Sequence, residues 1–141
     1  MNFRLTIGDW QAQQAHARAV RDDVFINEQK IPVELEWDEM DGASLHAVVL
    51  DESGKAIGTG RLLPDGHIGR MAVTRARRNA GIGGAILEGL MQEARKRGDT
   101  AVLLNAQTSA ESFYARHGFV REGEIFMEAG IPHIRMRHVF A

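Results

Sequence analysis

The stretch that decides the fold runs from His67 to Gly84 and reads His-Ile-Gly-Arg-Met-Ala-Val-Thr-Arg-Ala-Arg-Arg-Asn-Ala-Gly-Ile-Gly-Gly. Ile68 to Val73 predict a short apolar strand, and a basic, glycine-rich turn from Arg75 to Gly84 leads directly into a helix. Glycine lets the backbone approach a ligand closely. The first N–H groups of a helix have no partner within it, and with the helix dipole they favour an anion. Because the arginines of the turn add donors suited to phosphate, the stretch predicts a pyrophosphate site.

Two common phosphate-binding motifs fit this turn poorly. A Walker loop requires Gly-Lys-Ser/Thr at the helix start, whereas Gly83 is followed by Gly84 and Ala85. A Rossmann fingerprint requires Gly-x-Gly-x-x-Gly directly after the first strand of a domain. Here Ile86 replaces the third glycine, and seven residues separate Val73 from the first one. An NAD enzyme is therefore the weaker interpretation, and a glycine-rich helix start used only for helix–sheet packing is the structural alternative.

The turn resembles the coenzyme A signature of the GNAT acyltransferases. That signature is Gln/Arg-x-x-Gly-x-Gly/Ala after a strand ending in an Ala-Val-like pair, and the chain has Met71-Ala72-Val73 followed by Arg78-x-x-Gly81-x-Gly83. The resemblance implies that acetyl-CoA is the co-substrate. It places coenzyme contacts on Met71, Ala72, Val73, Arg78, Asn79, Ala80, Gly81, Ile82, Gly83 and Gly84.

A second block, Phe113-Tyr114-Ala115-Arg116-His117-Gly118-Phe119, resembles the closing element of the same family. The resemblance implies that Tyr114 donates a proton to the departing coenzyme A thiolate. A phenol of pKa ~10 is able to protonate a thiolate whose thiol has a pKa of ~8.5. The structural alternative is an aromatic pair packed at a helix end. Seven residues before the tyrosine, where relatives often carry a coenzyme-binding asparagine, this chain has Gln107.

Scattered positions of the N-terminal third resemble the ElaA-like branch of the family. They begin Arg21-x-x-Val24-Phe25-x-x-Glu28-Gln29-x-x-Pro32, continue through Glu36, Asp38 and Asp41, and are followed by His46, Arg61 and Gly130-Ile131-Pro132-His133. The resemblance implies an acetyl-CoA-dependent N-acetyltransferase. Direct transfer in a ternary complex is expected, because it removes the entropic cost of bringing two reactants together. A catalytically silent coenzyme A sensor or interaction module on the same fold is the alternative.

Length and composition predict a single domain over residues 1–141 and exclude several classes of function. A net charge of −2 and a pI of about 6.3 give no field that would recruit nucleic acid or a membrane. No secretory signal or long apolar run is apparent, so a cytoplasmic enzyme is expected. The absence of cysteine excludes a cysteine acyl-enzyme, and no histidine pair has metal-ligand spacing, so no metal is expected. The sequence leaves the oligomeric state open, with a homodimer among the alternatives.

The pattern of apolar residues predicts the order β-α-loop-β-β-β-α-β-α-β-β. Asp9 is expected to cap a helix that runs to about Phe25, and Thr108 to Glu111 read as a capping box. A turn is expected at residues 130–132. The expected fold class is therefore α/β (α+β): a GNAT-like mixed, mostly antiparallel central sheet of about seven strands, flanked by helices on both faces.

The acceptor is expected to be an amine of a small molecule or a peptide. At neutral pH a lysine-like amine is protonated, so its site needs negative charge and a route for one proton. Carboxylates cluster at residues 34–41, where Glu34 and Glu39 read as solvated. The expected acceptor-binding residues are Glu28, Glu36, Asp41, His46 and His133.

His67 is the expected general base. It stands four residues before Met71, where many relatives carry a catalytic glutamate, and histidine titrates near neutral pH. The alternative is a turn histidine that follows Asp65 and Gly66.

Overall fold

Strands and helices follow one another in the order that the sequence predicts. The computed structural model describes residues 2–33 and 38–141. Its strands are β1 (Phe3–Gly8), β2 (Leu45–Asp51), β3 (Ala56–Leu62), β4 (Ile68–Val73), β5 (Ala101–Gln107), β6 (Val120–Glu128) and β7 (Ile131–Val139). Its α-helices are α1 (Trp10–Arg21), α2 (Ile82–Lys96) and α3 (Glu111–Arg116). A π-helical segment (Asp22–Glu28) continues α1, and short 3₁₀ segments cover Glu39–Ala43, Arg75–Arg77 and Thr108–Ala110.

The strands form two antiparallel sheets that meet side by side. One sheet has the order β1-β2-β3-β4 and the other β5-β7-β6. Between them the described residues form an isolated parallel bridge, His67 to Leu103, in which the Leu103 N–H donates to the Gly66 carbonyl at 3.1 Å. The expected seven-stranded, mostly antiparallel architecture is thus confirmed. The strands form two sheets instead of one, because β4 and β5 do not pair as a ladder among the described residues.

Helices cover both faces of the first sheet because side chains alternate along its strands. On β2, Val48 packs in the cluster beneath α1, whereas Ala47 and Val49 pack in the cluster beneath α2. Helix α2 buries apolar side chains at i+4 spacing: Ile82, Ile86, Leu90 and Ala94. This packing fixes the position of the N-terminus of α2, which lies directly after the turn that follows β4.

The structure confirms one predicted helix start and corrects another. The Asp9 carboxylate accepts the Ala12 N–H at 2.9 Å and caps α1. The capping box expected from Thr108 to Glu111 is wrong, because α3 begins only at Glu111 and no side chain of the described residues caps it. Arg121 holds the Glu111 carboxylate with two hydrogen bonds of 2.8 and 2.9 Å, so that side chain does not fold back to form the box.

The hairpin between β6 and β7 turns earlier than expected. Its two turn residues are Ala129 and Gly130, both at positive φ (52° and 76°), as a tight two-residue turn requires. Pro132, which was expected in the turn, lies near the start of β7 opposite Met127. A proline is tolerated there because ladder pairing is just beginning.

Two glycines of β3 allow α2 to lie close to the sheet. A Cβ on Gly60 would lie 2.7 Å from Cγ2 of Ile86 and 3.0 Å from Cδ1 of Leu90. A Cβ on Gly58 would lie 2.9 Å from Cδ1 of Ile86. Ile86 and Leu90 are fully buried, so neither has room to move away.

We expect Gly60→Ala to lower the free energy of unfolding by about 1–3 kcal/mol, the usual cost of overpacking a core. Urea unfolding followed by circular dichroism measures the change. Gly42→Ala is the matched control, because a Cβ there meets nothing within 4 Å. Equal stability of the two variants would contradict this account of the helix–sheet contact.

Candidate active site

A cavity of about 360 Å³ lies where β4 and β5 separate. Beyond the bridge at His67 the two strands form no further ladder among the described residues, and Gly69 and Met71 on β4 face the cavity together with Leu104 and Gln107 on β5. Phe25, Gln29 and Ile31, from the segment after α1, complete one wall, and Glu128 and His133 from the β6–β7 hairpin complete another. The gap is therefore a pocket with walls from both sheets.

The open edge of β4 carries backbone groups that face the gap. The Thr74 N–H donates to the Ile57 carbonyl of β3 at 3.0 Å. Since N–H groups along a strand alternate in direction, the N–H of Val73 points away from β3, towards β5. The register of β3 and β4 shifts near Arg61, and Arg70 adopts a positive φ of 48°, as in a β-bulge.

The turn after β4 exposes the N-terminus of α2. Asn79 and Gly81 have positive φ values of 65° and 82°, and the helix begins at Ile82. A Cβ on Gly81 would meet nothing within 4 Å, so the space beside the turn is open. A Cβ on Gly83 would make ordinary contact with Phe113, at 3.5 Å. The N–H groups of the first helical turn are therefore available to an anion.

Arg78 is held in place by a carboxylate that was expected at the acceptor site. Its Nη1 and Nη2 donate to the two oxygens of Glu28, both at 2.7 Å, and its Nε donates to the Val73 carbonyl at 2.9 Å. Arg75 also contacts Glu28, at 3.3 Å. Hydrogen bonds from Arg78 hold the pKa of the Glu28 carboxyl below its usual value. The structure thus places Glu28 against the basic turn and not in the cavity lining.

Tyr114 lines the cavity next to the open edge of β4. Its hydroxyl lies 3.8 Å from Sδ of Met71, and its ring packs edge-on against Phe113 and Phe119, with centroids 5.0 and 6.0 Å away. Burial raises the pKa of the Tyr114 phenol to about 12. The phenol therefore keeps its proton at neutral pH, as a proton donor must.

Two of the candidate histidines face the same cavity. The His133 Nδ1 lies 2.7 Å from the Ile131 carbonyl, which only accepts, so Nδ1 carries a hydrogen. That Nε2 lies 3.6 Å from the Glu128 carboxylate. The Nδ1 of His67 lies 3.0 Å from Oδ1 of Asp65, at ion-pair distance but outside hydrogen-bond geometry. Both imidazoles line the cavity.

Asp41 and His46 lie away from the cavity, in a buried cluster. Asp41 accepts hydrogen bonds from Nη1 and Nη2 of Arg21 at 2.9 and 3.3 Å, and from Nη1 of Arg61 at 3.1 Å. His46 donates from Nε2 to the Asp41 carbonyl at 2.9 Å, and its ring lies 4.7 Å from that of Trp10. Burial lowers the pKa of His46, which keeps the ring neutral. These contacts tie α1 to the first sheet, so the structure does not bring this pair to the acceptor site.

The remaining acceptor candidate, Glu36, lies outside the described residues. Two residues further along the chain, Asp38 pairs with Arg61 at 2.8 Å and with Arg70 at 3.2 Å. The described carboxylates of the acidic segment are thus largely neutralised by arginines, and the expected acidic wall for an ammonium group does not form among them. Sequence reasoning gave no role to several polar residues that line the cavity: Gln29, Arg61, Arg70, Asn105 and Glu128. Apart from Gln29, which follows the π-helical segment, they lie on strands of the two sheets and meet only in the folded chain.

Gln107 extends the cavity wall at the end of β5. Its Nε2 donates to Oε1 of Gln29 at 3.1 Å, which links β5 to the segment after α1. In residues 2–33 and 38–141, no group of three His, Asp or Glu side chains is placed to hold a metal ion. No helix in the described part of the chain is long and apolar enough to cross a bilayer.

Comparisons with known proteins agree with this geometry. A sequence profile of the acetyltransferase (GNAT) domain matches residues 11–140. YjcF of Bacillus subtilis (strain 168), named an uncharacterized N-acetyltransferase, is 41% identical over 138 residues, which cover 95% of this chain and 98% of YjcF.

Solved structures have the same fold over nearly the whole chain. An acyl-CoA N-acyltransferase from Pseudomonas aeruginosa has a TM-score of 0.86 at 31% identity, covering 98% of this chain and 100% of its own. Escherichia coli ElaA has a TM-score of 0.85 at 25% identity, with 97% and 99% covered. The chain therefore belongs to the GNAT acetyltransferase family.

Proposed function

We propose that this protein transfers an acetyl group from acetyl-CoA to the amine of a small acceptor, by direct attack in a ternary complex. The observation that carries the proposal is the meeting of the open β4 edge and the Tyr114 hydroxyl at one cavity, beside a free helix N-terminus. Membership of the GNAT family supports acetyl-CoA as the co-substrate. The geometry supports separate positions for its pyrophosphate, its pantetheine arm and its thioester.

The coenzyme follows the open edge in this proposal. The pantetheine arm pairs with β4 as an extra strand, and the pyrophosphate lies on the first turn of α2 between residues 78 and 84. The N–H of Val73 donates to the thioester carbonyl and stabilises the negative charge that develops there. Arg78 binds the pyrophosphate when it exchanges its contact with Glu28, and Gln107 lies near the reacting end.

The amine attacks the thioester carbon, forming a C–N bond as the C–S bond breaks. Tyr114 transfers its proton to the departing thiolate. The amine loses one proton to an imidazole at the cavity wall. Either His133, whose Nδ1 is held by the Ile131 carbonyl, or His67 supports this role from the cavity wall.

The coenzyme assignment predicts a thermal shift that depends on charge at the start of α2. Coenzyme A should raise the Tm, because a ligand that binds only the folded state stabilises it by RT ln(1 + [L]/Kd). Gly83→Asp should abolish this shift, since a carboxylate there repels pyrophosphate but suits the helix dipole. Gly83→Ala is the matched control and should keep the shift. Equal shifts in both variants, or with NAD or ATP at the same concentration, would oppose the assignment.

Tyr114→Phe should lower kcat roughly 10²–10⁴-fold, the usual contribution of one positioned acid. Steady-state release of coenzyme A measures the rate, and an unchanged coenzyme-induced Tm shift shows that the variant folds and binds. Because the pKa of Tyr114 is raised to about 12, its loss of a proton should produce no alkaline limb in kcat below about pH 11. An unchanged kcat would assign the residue to packing alone.

The base is identified by the pH profile of kcat/KM. As pH rises from 5 to 8 an imidazole loses its proton and becomes able to accept one, so the wild-type rate should rise in that range. His133→Gln should remove this limb, with His67→Gln as the paired comparison. A limb lost only in His67→Gln would transfer the role to His67, and a limb kept in both variants would exclude each of these two histidines as the sole base.

No consumption of acetyl-CoA with any amine, despite a coenzyme-induced Tm shift, would favour a catalytically silent coenzyme A-binding module on the same fold.

A further inference from the structure

A carboxylate lies on the wall of the cavity that the second sheet forms. Gln107 on β5, His133 on β7 and Phe126 on β6 stand opposite one another in the strand register. Side chains at directly opposed positions share a face of the sheet, and Gln107 and His133 both line the cavity. Glu128 follows two residues after Phe126, so it projects from the same face, and it lines the cavity as well.

No lysine or arginine of residues 2–33 and 38–141 contacts the Glu128 carboxylate. Its neighbour in this part of the chain is His133, whose Nε2 lies 3.6 Å away. The Glu128 side chain is half exposed, so water solvates its charge when the cavity is empty. A ligand that fills the cavity displaces this water, and a carboxylate that loses its water needs a positive partner.

The two arginines of the cavity wall already contact carboxylates. Arg61 contacts Asp38 at 2.8 Å and Asp41 at 3.1 Å, and Arg70 contacts Asp38 at 3.2 Å. Among the described residues that line the cavity, Glu128 is the one acid. The charge that the described wall leaves for a ligand to neutralise is therefore negative, and it lies on the β6–β7 hairpin.

We propose that Glu128 is the acceptor-binding carboxylate, and that the acceptor is a small amine cation with no carboxylate next to its amine. The ammonium group binds Glu128 inside a cavity of about 360 Å³ that Tyr114 also lines. An acceptor carboxylate at that position would lie beside Glu128, and like charges at close range repel each other. This inference rests on the proposed acetyltransferase function and names its substrate class.

Glu128 also balances the charge while the acetyl group is transferred. The ammonium loses one proton before its nitrogen attacks the thioester carbon. A proton that passes to His133 stays beside the same carboxylate, because Nε2 of that ring lies 3.6 Å from Glu128. The C–N bond then forms, the C–S bond breaks, and Tyr114 protonates the thiolate. The positive charge thus keeps its partner throughout.

The first test compares matched acceptors with the wild-type enzyme. Phenethylamine, tyramine, histamine, cadaverine and agmatine are each assayed against the parent amino acid, with acetyl-CoA and a thiol reagent. Because the chain has no cysteine, only released coenzyme A reacts with that reagent. We expect at least one of these amines to have a kcat/KM roughly 10–100-fold above that of its parent amino acid, the factor expected for a charged hydrogen-bonded pair.

The second test uses Glu128→Gln with the amine that the wild-type enzyme uses best. The KM for this amine should rise roughly 10–100-fold, while kcat changes much less, because a charge-assisted contact is lost. Glu124→Gln is the matched control, since it removes the same charge from an exposed position of β6 that does not line the cavity. It should keep the wild-type KM. A coenzyme-induced Tm shift shows that each variant is folded.

Ionic strength separates attraction between charges from a structural role. Added salt should raise the KM of the wild-type enzyme and of Glu124→Gln for the amine, because salt screens charges that are exposed to solvent. The KM of Glu128→Gln should hardly change with salt. If Glu128→Gln does not fold, the comparison of amines with amino acids and the salt dependence of the wild-type KM decide.

The outcomes distinguish this inference from the proposed function. Amino acids used as well as the matched amines, or an unchanged KM in folded Glu128→Gln, would overturn the inference but leave an acetyltransferase. A rise in KM that is equal in Glu124→Gln and Glu128→Gln would likewise remove the assignment to Glu128. If neither the amines nor the amino acids are acetylated, both proposals fall.

Discussion

The unpaired edge of β4 is the constraint around which the rest of the molecule is arranged. Backbone N–H and carbonyl groups inside a protein need partners, and a strand that diverges from its neighbour leaves some without one. Here Arg78 occupies the Val73 carbonyl, while the Val73 N–H points into the gap. The cavity, the free end of α2 and Tyr114 all adjoin this edge. The separation of two strands thus creates both the room and the hydrogen-bonding groups of the site.

Arginines determine what the acidic N-terminal third does. Glu28 is bound by Arg78, and Asp41 by Arg21 and Arg61, so these carboxylates position neighbouring elements instead of attracting a cation. Each pair joins residues at least twenty positions apart. The charge around the cavity therefore depends on ion pairs that form only in the folded chain. The density of acidic residues in the sequence does not predict that charge.

Local patterns predict this protein well where the chemistry is local. The strand ending at Val73, the turn and helix α2 follow from apolar periodicity and glycine placement, and the motif around Tyr114 leads to a residue on the cavity wall. Their catalytic roles stay predictions. The positions of Asp41 and His46 could not be predicted from the sequence, because ion pairs and ring contacts with residues of other elements determine them.

The close contact of α2 with β3 links the core of this protein to the proposed coenzyme site. Gly58 and Gly60 determine how closely α2 approaches β3. The position of α2 in turn determines how far its first turn lies from the end of β4. A larger residue at either glycine would raise the helix and carry its N-terminus away from the open edge. Under the proposed function, two strand residues buried in the core would therefore govern coenzyme affinity as well as stability.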